Sequence, residues 1–219
     1  MNKLFGNLHL VWRKGRGHRR ISVGLIKNNA TDGLVFQYLP EGVDMAKGQG
    51  FRGYPGLTLD KESQTSNILD VFSQRLLKPE RQDVKSYYQF WQVDSDFRAN
   101  PLRLLAYTQG LLPTDDFEFL ADFNPIRGQQ FITELAGLSH SQVKRSEVQV
   151  GDELHFKKEP DNSSDNYAVA IYGSRKLGYV KIVHSRIFYK NLKSNPKISI
   201  HHIEGKDQVT KLFLKICIS

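Results

Sequence analysis

Apolar and polar residues alternate with a period of two over 8–12 (LHLVW), 19–26 (RRISVGLI) and 33–39 (GLVFQYL), the pattern of half-buried strands. The basic run 14–20 (KGRGHRR) fits a hairpin loop between the first two strands, so the chain opens with a small meander. Pro40 suits the first turn of a short helix over GVDMAK, and the glycine-rich 48–56 (GQGFRGYPG) is loop. The period then becomes helical. Ser66 is placed to cap a helix presenting Ile68, Leu69, Phe72 and Leu76 on one face, and a second helix follows Pro79 through Val84, Tyr87, Tyr88 and Trp91. A third runs from Asn100-Pro101 to Gly110, with cap and terminal glycine in their usual places, before a strand at 117–123.

The turn cluster Asn124, Pro125 and Gly128 marks a boundary between domains 1–125 and 126–219. Beyond it, 129–138, 153–159, 167–173, 176–182, 197–203 and 210–218 are strand-like, with one helix candidate at 183–192. The expected architecture is an α+β N-terminal domain followed by a small β-barrel-like domain with one helix.

Charge divides the chain differently from hydropathy. Residues 1–31 hold seven Lys or Arg and no acid, 32–125 hold nine against fourteen acids, and 126–219 hold fifteen against nine. The stretch 166–203 carries Arg175, Lys176, Lys181, Arg186, Lys190, Lys193 and Lys197 without a carboxylate. Such a patch suits a polyanion, because each neutralised phosphate releases counterions. No run of about 18 apolar residues is present to span a bilayer, and no secretory leader is evident, so a cytoplasmic protein without a membrane partner is expected. The single cysteine, Cys217, reads as a small core hydrophobe, which leaves no disulfide framework or thiolate metal cluster.

Enzymatic constellations are thin. Gly48, Gly50 and Gly53 spell G-x-G-x-x-G, but a phosphate cradle needs a strand before it and a helix N-terminus after it, and here a helix precedes and Tyr54-Pro55-Gly56 follows. His201 and His202 are neighbours on a strand and point to opposite faces, so they cannot share a metal. Asp94, Asp96, Asp115 and Asp116 lie beside helix ends, where capping accounts for them. A non-catalytic protein without cofactor or metal is expected.

Residues 157–181 form the most specific constellation: a strand, a polar turn, a second strand, a Ser-Arg turn and a third strand. Glu159-Pro160, Asn162, Asp165, Ala168-Val169, Ile171 and Leu177-Gly178-Tyr179-Val180 resemble the core of the HIRAN domain, and the likeness extends over about 129–219. The resemblance implies a small β-rich module that binds DNA. In its relatives fused to remodelling enzymes, aromatic rings stack on the 3′ end of a single strand and a polar turn holds the terminus. Asn162 and Asp165 match that turn, but Ser164 stands where the turn aromatic would be, and Leu135-Ala136 where paired tyrosines would be. End capture is therefore expected to give way to backbone or duplex binding, with Arg175, Lys176, Lys181, Arg186, Lys190 and Lys193 joining Asn162 and Asp165 as nucleic-acid contacts.

The first domain is similar to the N-terminal subdomain of HipA-type serine/threonine kinases in LHLVWRKG, ISVGLIKN and DGLVFQYLPEG, and in the leucine-rich 101–119 that follows. No kinase core accompanies it. The resemblance implies a detached regulatory piece, so the expected function is an antitoxin-like bacterial partner that restrains a HipA-type kinase and touches DNA through the HIRAN-like domain. A DNA-processing accessory recognising ends or damaged structures, with no kinase partner, is the alternative.

Overall fold

The computed structural model describes residues 3–29, 33–60 and 67–219. The chain is mainly β with short helices, and it divides into two compact units: Phe5–Asp122, and Phe123–Ser219 together with Lys3 and Leu4. Among the described residues no helix is long and apolar enough to cross a membrane.

The first unit begins with the meander β1 (Phe5–Trp12), β2 (Ile21–Asn29) and β3 (Gly33–Tyr38). These strands pair antiparallel, and β4 (Phe117–Phe123) adds beside β1 to give the order β3-β2-β1-β4. Among the described residues four short α-helices lie between β3 and β4: α1 (Pro40–Lys47), α2 (Ile68–Ser73), α3 (Val84–Phe90) and α4 (Pro101–Thr108). Pro40 occupies the first turn of α1, and Asn100 caps α4 by accepting from the Arg103 amide at 3.0 Å. The G-x-G-x-x-G letters fall at the end of α1 and in the loop after it, where Phe51 and Tyr54 turn into the core. One helix is shorter than its apolar periodicity predicts. α2 stops at Ser73 because the amides of Arg75 and Leu76 bond three residues back, to Phe72 and Ser73, which leaves Leu76 outside it. Ser66, the expected cap, lies outside the described residues.

Edge-on rings fill this core: Phe72 meets Phe36 at 5.5 Å, Tyr54 at 5.0 Å and Phe119 at 4.9 Å. Among them lies Arg75, with only 4 % of its side chain exposed. Its Nε donates to the Gly110 carbonyl at 2.7 Å, its two terminal nitrogens grip the Asp115 carboxylate at 2.7 Å each, and Nη2 also donates to the Phe117 carbonyl at 3.0 Å. The guanidinium carbon sits about 6 Å from the rings of Tyr54, Phe117 and Phe119. Burial pulls the Arg75 pKa down, and the bonds and charges of Asp115 and Tyr54 more than reverse it, so the group stays charged. Asp115 thus serves an ion pair rather than a helix cap, and Asp116 faces Arg13 at 3.8 Å.

The second unit is one antiparallel sheet of six strands: β5 (Gln130–Glu134), β6 (Glu153–Glu159), β7 (Ala168–Tyr172), β8 (Lys176–Tyr179), β9 (Lys197–Glu204) and β10 (Lys211–Cys217). Their order is β5-β10-β9-β6-β7-β8. The expected barrel is met only loosely, because the sheet is open. Its two ends touch through a single bridge, in which Ala136 and Tyr179 exchange both backbone bonds at 2.8 Å. Gly178 permits that approach, since a Cβ there would lie 2.3 Å from the Ala136 carbonyl oxygen. Leu212, Leu214, Ile216, Val169, Ile171 and Phe131 form the centre of the core.

Two expectations for this unit are corrected. The helix candidate at 183–192 is a 3-10 helix, His184–Tyr189, in which the threefold repeat stacks His184 with Ile187 and Ser185 with Phe188 and buries all four. Cys217, the last residue of β10, is only half-buried, between the buried Ile216 and Ile218.

These packings lead to two expected outcomes. Arg75→Ala leaves the Asp115 carboxylate and two carbonyls without their donor, and should destabilise the first unit by about 3 kcal/mol in urea titrations followed by tryptophan fluorescence. Gly178→Ala forces a methyl group against a backbone carbonyl, and should cost about 1–3 kcal/mol in the second unit, with hydrogen exchange rising at the Ala136 and Tyr179 amides.

Candidate nucleic-acid interface

The turn between β6 and β7 is shaped by its own side chains. Asn162 Oδ1 accepts from the Ser164 amide at 3.0 Å, and Asp165 Oδ1 accepts from the Tyr167 amide at 2.9 Å, each bonding two residues ahead as turn-forming Asn and Asp do. This geometry turns Tyr167 outward, with 46 % of the residue exposed.

Tyr167 does not stand alone. Its ring meets Tyr189 edge-on at 5.4 Å, and the Arg186 guanidinium lies 5.7 Å from its centre. Tyr189 is fixed by donating its hydroxyl to the Ala168 carbonyl at 2.9 Å, and Lys158 Nζ sits 5.2 Å from its ring. Desolvation raises the Tyr189 pKa, with the charges of Asp165, Glu159 and Asp161 acting in the same direction, so the phenol remains a donor at neutral pH. A groove of about 400 Å³ opens beside this cluster, lined in part by Phe156, Lys158, Phe188, Asn191, Lys193 and Asn195. Lys158 is common to cluster and groove.

A second polar knot lies where β6, the turn and β8 meet. Glu159 accepts from Lys176 Nζ and from the Tyr179 hydroxyl, both at 2.9 Å, while Lys176 Nζ also reaches that hydroxyl at 2.7 Å. Asn162 Nδ2 donates to Glu159 at 3.3 Å and to the Tyr179 oxygen at 3.4 Å. The Lys176 ammonium, opposed by desolvation and helped by Tyr179 and Asn162, holds the Glu159 carboxyl below its usual range. Desolvation pulls Lys176 down in turn, but its bonds to Tyr179 and Glu159 prevail and raise its pKa. The knot is therefore a fixed array of charged and hydroxyl groups at neutral pH.

The residues expected to contact nucleic acid fall into four groups. Asn162, Asp165 and Lys176 come together in the turn and knot, and Arg186 and Lys193 lie on the aromatic cluster and the groove. Arg175 and Lys190 are exposed in part but already engaged, although Lys190 also lines the groove. Arg175 donates to the Ser141 carbonyl and pairs with Glu147, both at 2.7 Å, and Lys190 donates to the Phe123 carbonyl at 2.6 Å and to Asn124 at 3.2 Å. Lys181 is a correction: its side chain has no exposed surface and faces Glu134 at 3.5 Å, so it is an internal ion pair and not a phosphate contact. The expectation that the region lacks rings is corrected too. Ser164 offers none, but Tyr167 three residues on projects one, with Tyr189 and Lys158 as neighbours that the charge pattern alone does not single out.

Both clusters lie inside residues 129–211, which match the sequence model of the HIRAN domain family. No curated protein and no solved structure matches the chain. The chain carries a HIRAN domain at residues 129–211.

Proposed function

We propose that this is a non-catalytic regulatory protein that binds DNA through its HIRAN domain. The observation that carries this reading is the exposed ring of Tyr167, braced by Tyr189, flanked by Arg186 and Lys158, and opening onto a groove that bears Lys193. Such a surface offers a π-face to a base and cations to the adjoining phosphates, the combination that single-stranded nucleic acid requires. Rigidity supports it further: Tyr189 is tied to the β7 backbone, and Tyr167 follows a turn whose shape Asn162 and Asp165 set, so little side-chain freedom is lost on binding.

The unit 5–122 is proposed as the protein-docking half. Its likeness to the N-terminal subdomain of HipA-type kinases, together with the acid surplus of 32–125, supports a kinase of that type as the partner restrained. A DNA-end or damage-recognition accessory with no kinase partner is the competing reading, and it shares the same DNA surface.

Two measurements test these readings. Tyr167→Ala should weaken binding of a labelled oligo-dT by about 1–3 kcal/mol, and Lys158→Gln with Lys193→Gln should reduce the magnitude of the salt slope by about 1.4 for a single strand. Wild-type affinity and slope in both variants would remove the proposed surface. Co-expression of a HipA-type kinase from the same locus with the full chain should relieve its growth inhibition, and a chain deleted of residues 1–122 should not. Failure of the full chain to protect would leave the accessory reading.

A further inference from the structure

The hairpin joining β1 to β2 lies in the other unit and plays no part in the surface just described. It reads Arg13-Lys14-Gly15-Arg16-Gly17-His18-Arg19-Arg20, with five Lys or Arg in eight residues and no carboxylate. Two of these cations anchor the hairpin, and the others lie at its exposed tip. Arg13 and Arg20 at the base face Asp116, just before β4, and Glu118 on β4, Arg20 by a close ion pair that is largely buried. Their charge is spent on anchoring the hairpin to the sheet. Lys14, Arg16, His18 and Arg19 at the tip are all exposed.

The tip backbone is equally open. Gly15 and Gly17 take φ of +133° and +83°, a region that other residues rarely adopt, and a Cβ at either would meet nothing within 4 Å. The turn is closed by the His18 amide donating to the Gly15 carbonyl at 3.2 Å. Bare glycine backbone on both sides of Arg16 lets a ligand approach closely, and no apolar side chain stands between Lys14 and Arg19 to enter a lipid layer. The last apolar residue before the tip, Trp12, is held against Phe51 at 5.4 Å.

We infer that this hairpin is a second nucleic-acid contact, one that engages the phosphate backbone of duplex DNA. A two-stranded ribbon fits the width of the major groove, and arginine matches phosphate through paired N–H donors. The contact draws on residues of the first unit and on none of the HIRAN surface; only the gain from joining two sites on one chain rests on the proposal that the HIRAN domain binds DNA.

Fluorescence anisotropy of the full chain with a labelled 20-base-pair duplex, across a salt series, tests the inference. Lys14→Gln, Arg16→Gln and Arg19→Gln combined should weaken duplex binding roughly tenfold or more, and should lower the magnitude of the salt slope by about 2.7 if each residue neutralises one phosphate. Arg16→Lys with Arg19→Lys preserves charge and should keep most of the slope, while an unchanged thermal melt shows that the exposed substitutions leave the fold intact. The Tyr167→Ala, Lys158→Gln, Lys193→Gln chain separates the two surfaces. If it binds both oligo-dT and duplex as wild type does while the hairpin variant loses duplex binding, the HIRAN reading fails and the hairpin contact stands. Wild-type affinity and slope in the hairpin variant overturn the inference. So does a hairpin-dependent attachment to phosphatidylserine vesicles without any hairpin-dependent attachment to DNA.

Discussion

The second unit depends on one close approach, that of Ala136 to Tyr179 across the open ends of the sheet. A residue with a Cβ at position 178 would hold those backbones apart, so the absence of a side chain at Gly178 lets the two bonds form. The polar knot is braced by that contact as well as by the pairing of β8 with β7. The bridge fixes the backbone of Tyr179, which brings its hydroxyl between Glu159 and Lys176 and within reach of Asn162. A ring, a carboxylate and an ammonium are thereby held together by a meeting of main chains, and the turn that presents Tyr167 begins at the same Glu159.

The first unit solves a comparable problem by charge. Its helices are short, and none could hold its place against the sheet by helix propensity alone. Arg75 ties the segment after α2 to the Gly110 carbonyl beyond α4, to Asp115, and to the first residue of β4. A buried cation that contacts three separate segments fixes their register more strictly than ring packing does, because four hydrogen bonds must be satisfied at once. The arrangement also explains why α2 ends early: the chain must turn at Gln74 and Arg75 to send the guanidinium inward.

Much of the architecture was legible from period-two and period-3.6 patterns. The strands of both units lie close to where alternation puts them, and Pro40 and Asn100 act as their positions imply. What could not be read was partnership across sequence. Lys181 sits in an acid-free run and looks like a phosphate ligand, yet its partner Glu134 is 47 positions earlier in the chain and the pair is internal. Arg75 looks like any helix-end arginine until the strand carrying Phe117 returns beside it. Local chemistry misled in the other direction at the turn, where Ser164 in the aromatic position concealed that Tyr167 supplies a ring. Net charge likewise overstates the available cations, since Arg75, Lys181, Arg20 and Lys190 all spend theirs within the protein.

The half-buried position of Cys217 has a practical side. It is the single thiol of the chain and lies in the unit with the HIRAN domain, while both tryptophans, Trp12 and Trp91, lie in the other unit. A dye attached to Cys217 would accept energy from indole donors that sit wholly in the opposite half. The native sequence therefore carries the donors and the attachment point for a spectroscopic ruler between its two units, readable as the chain takes up a ligand at either one.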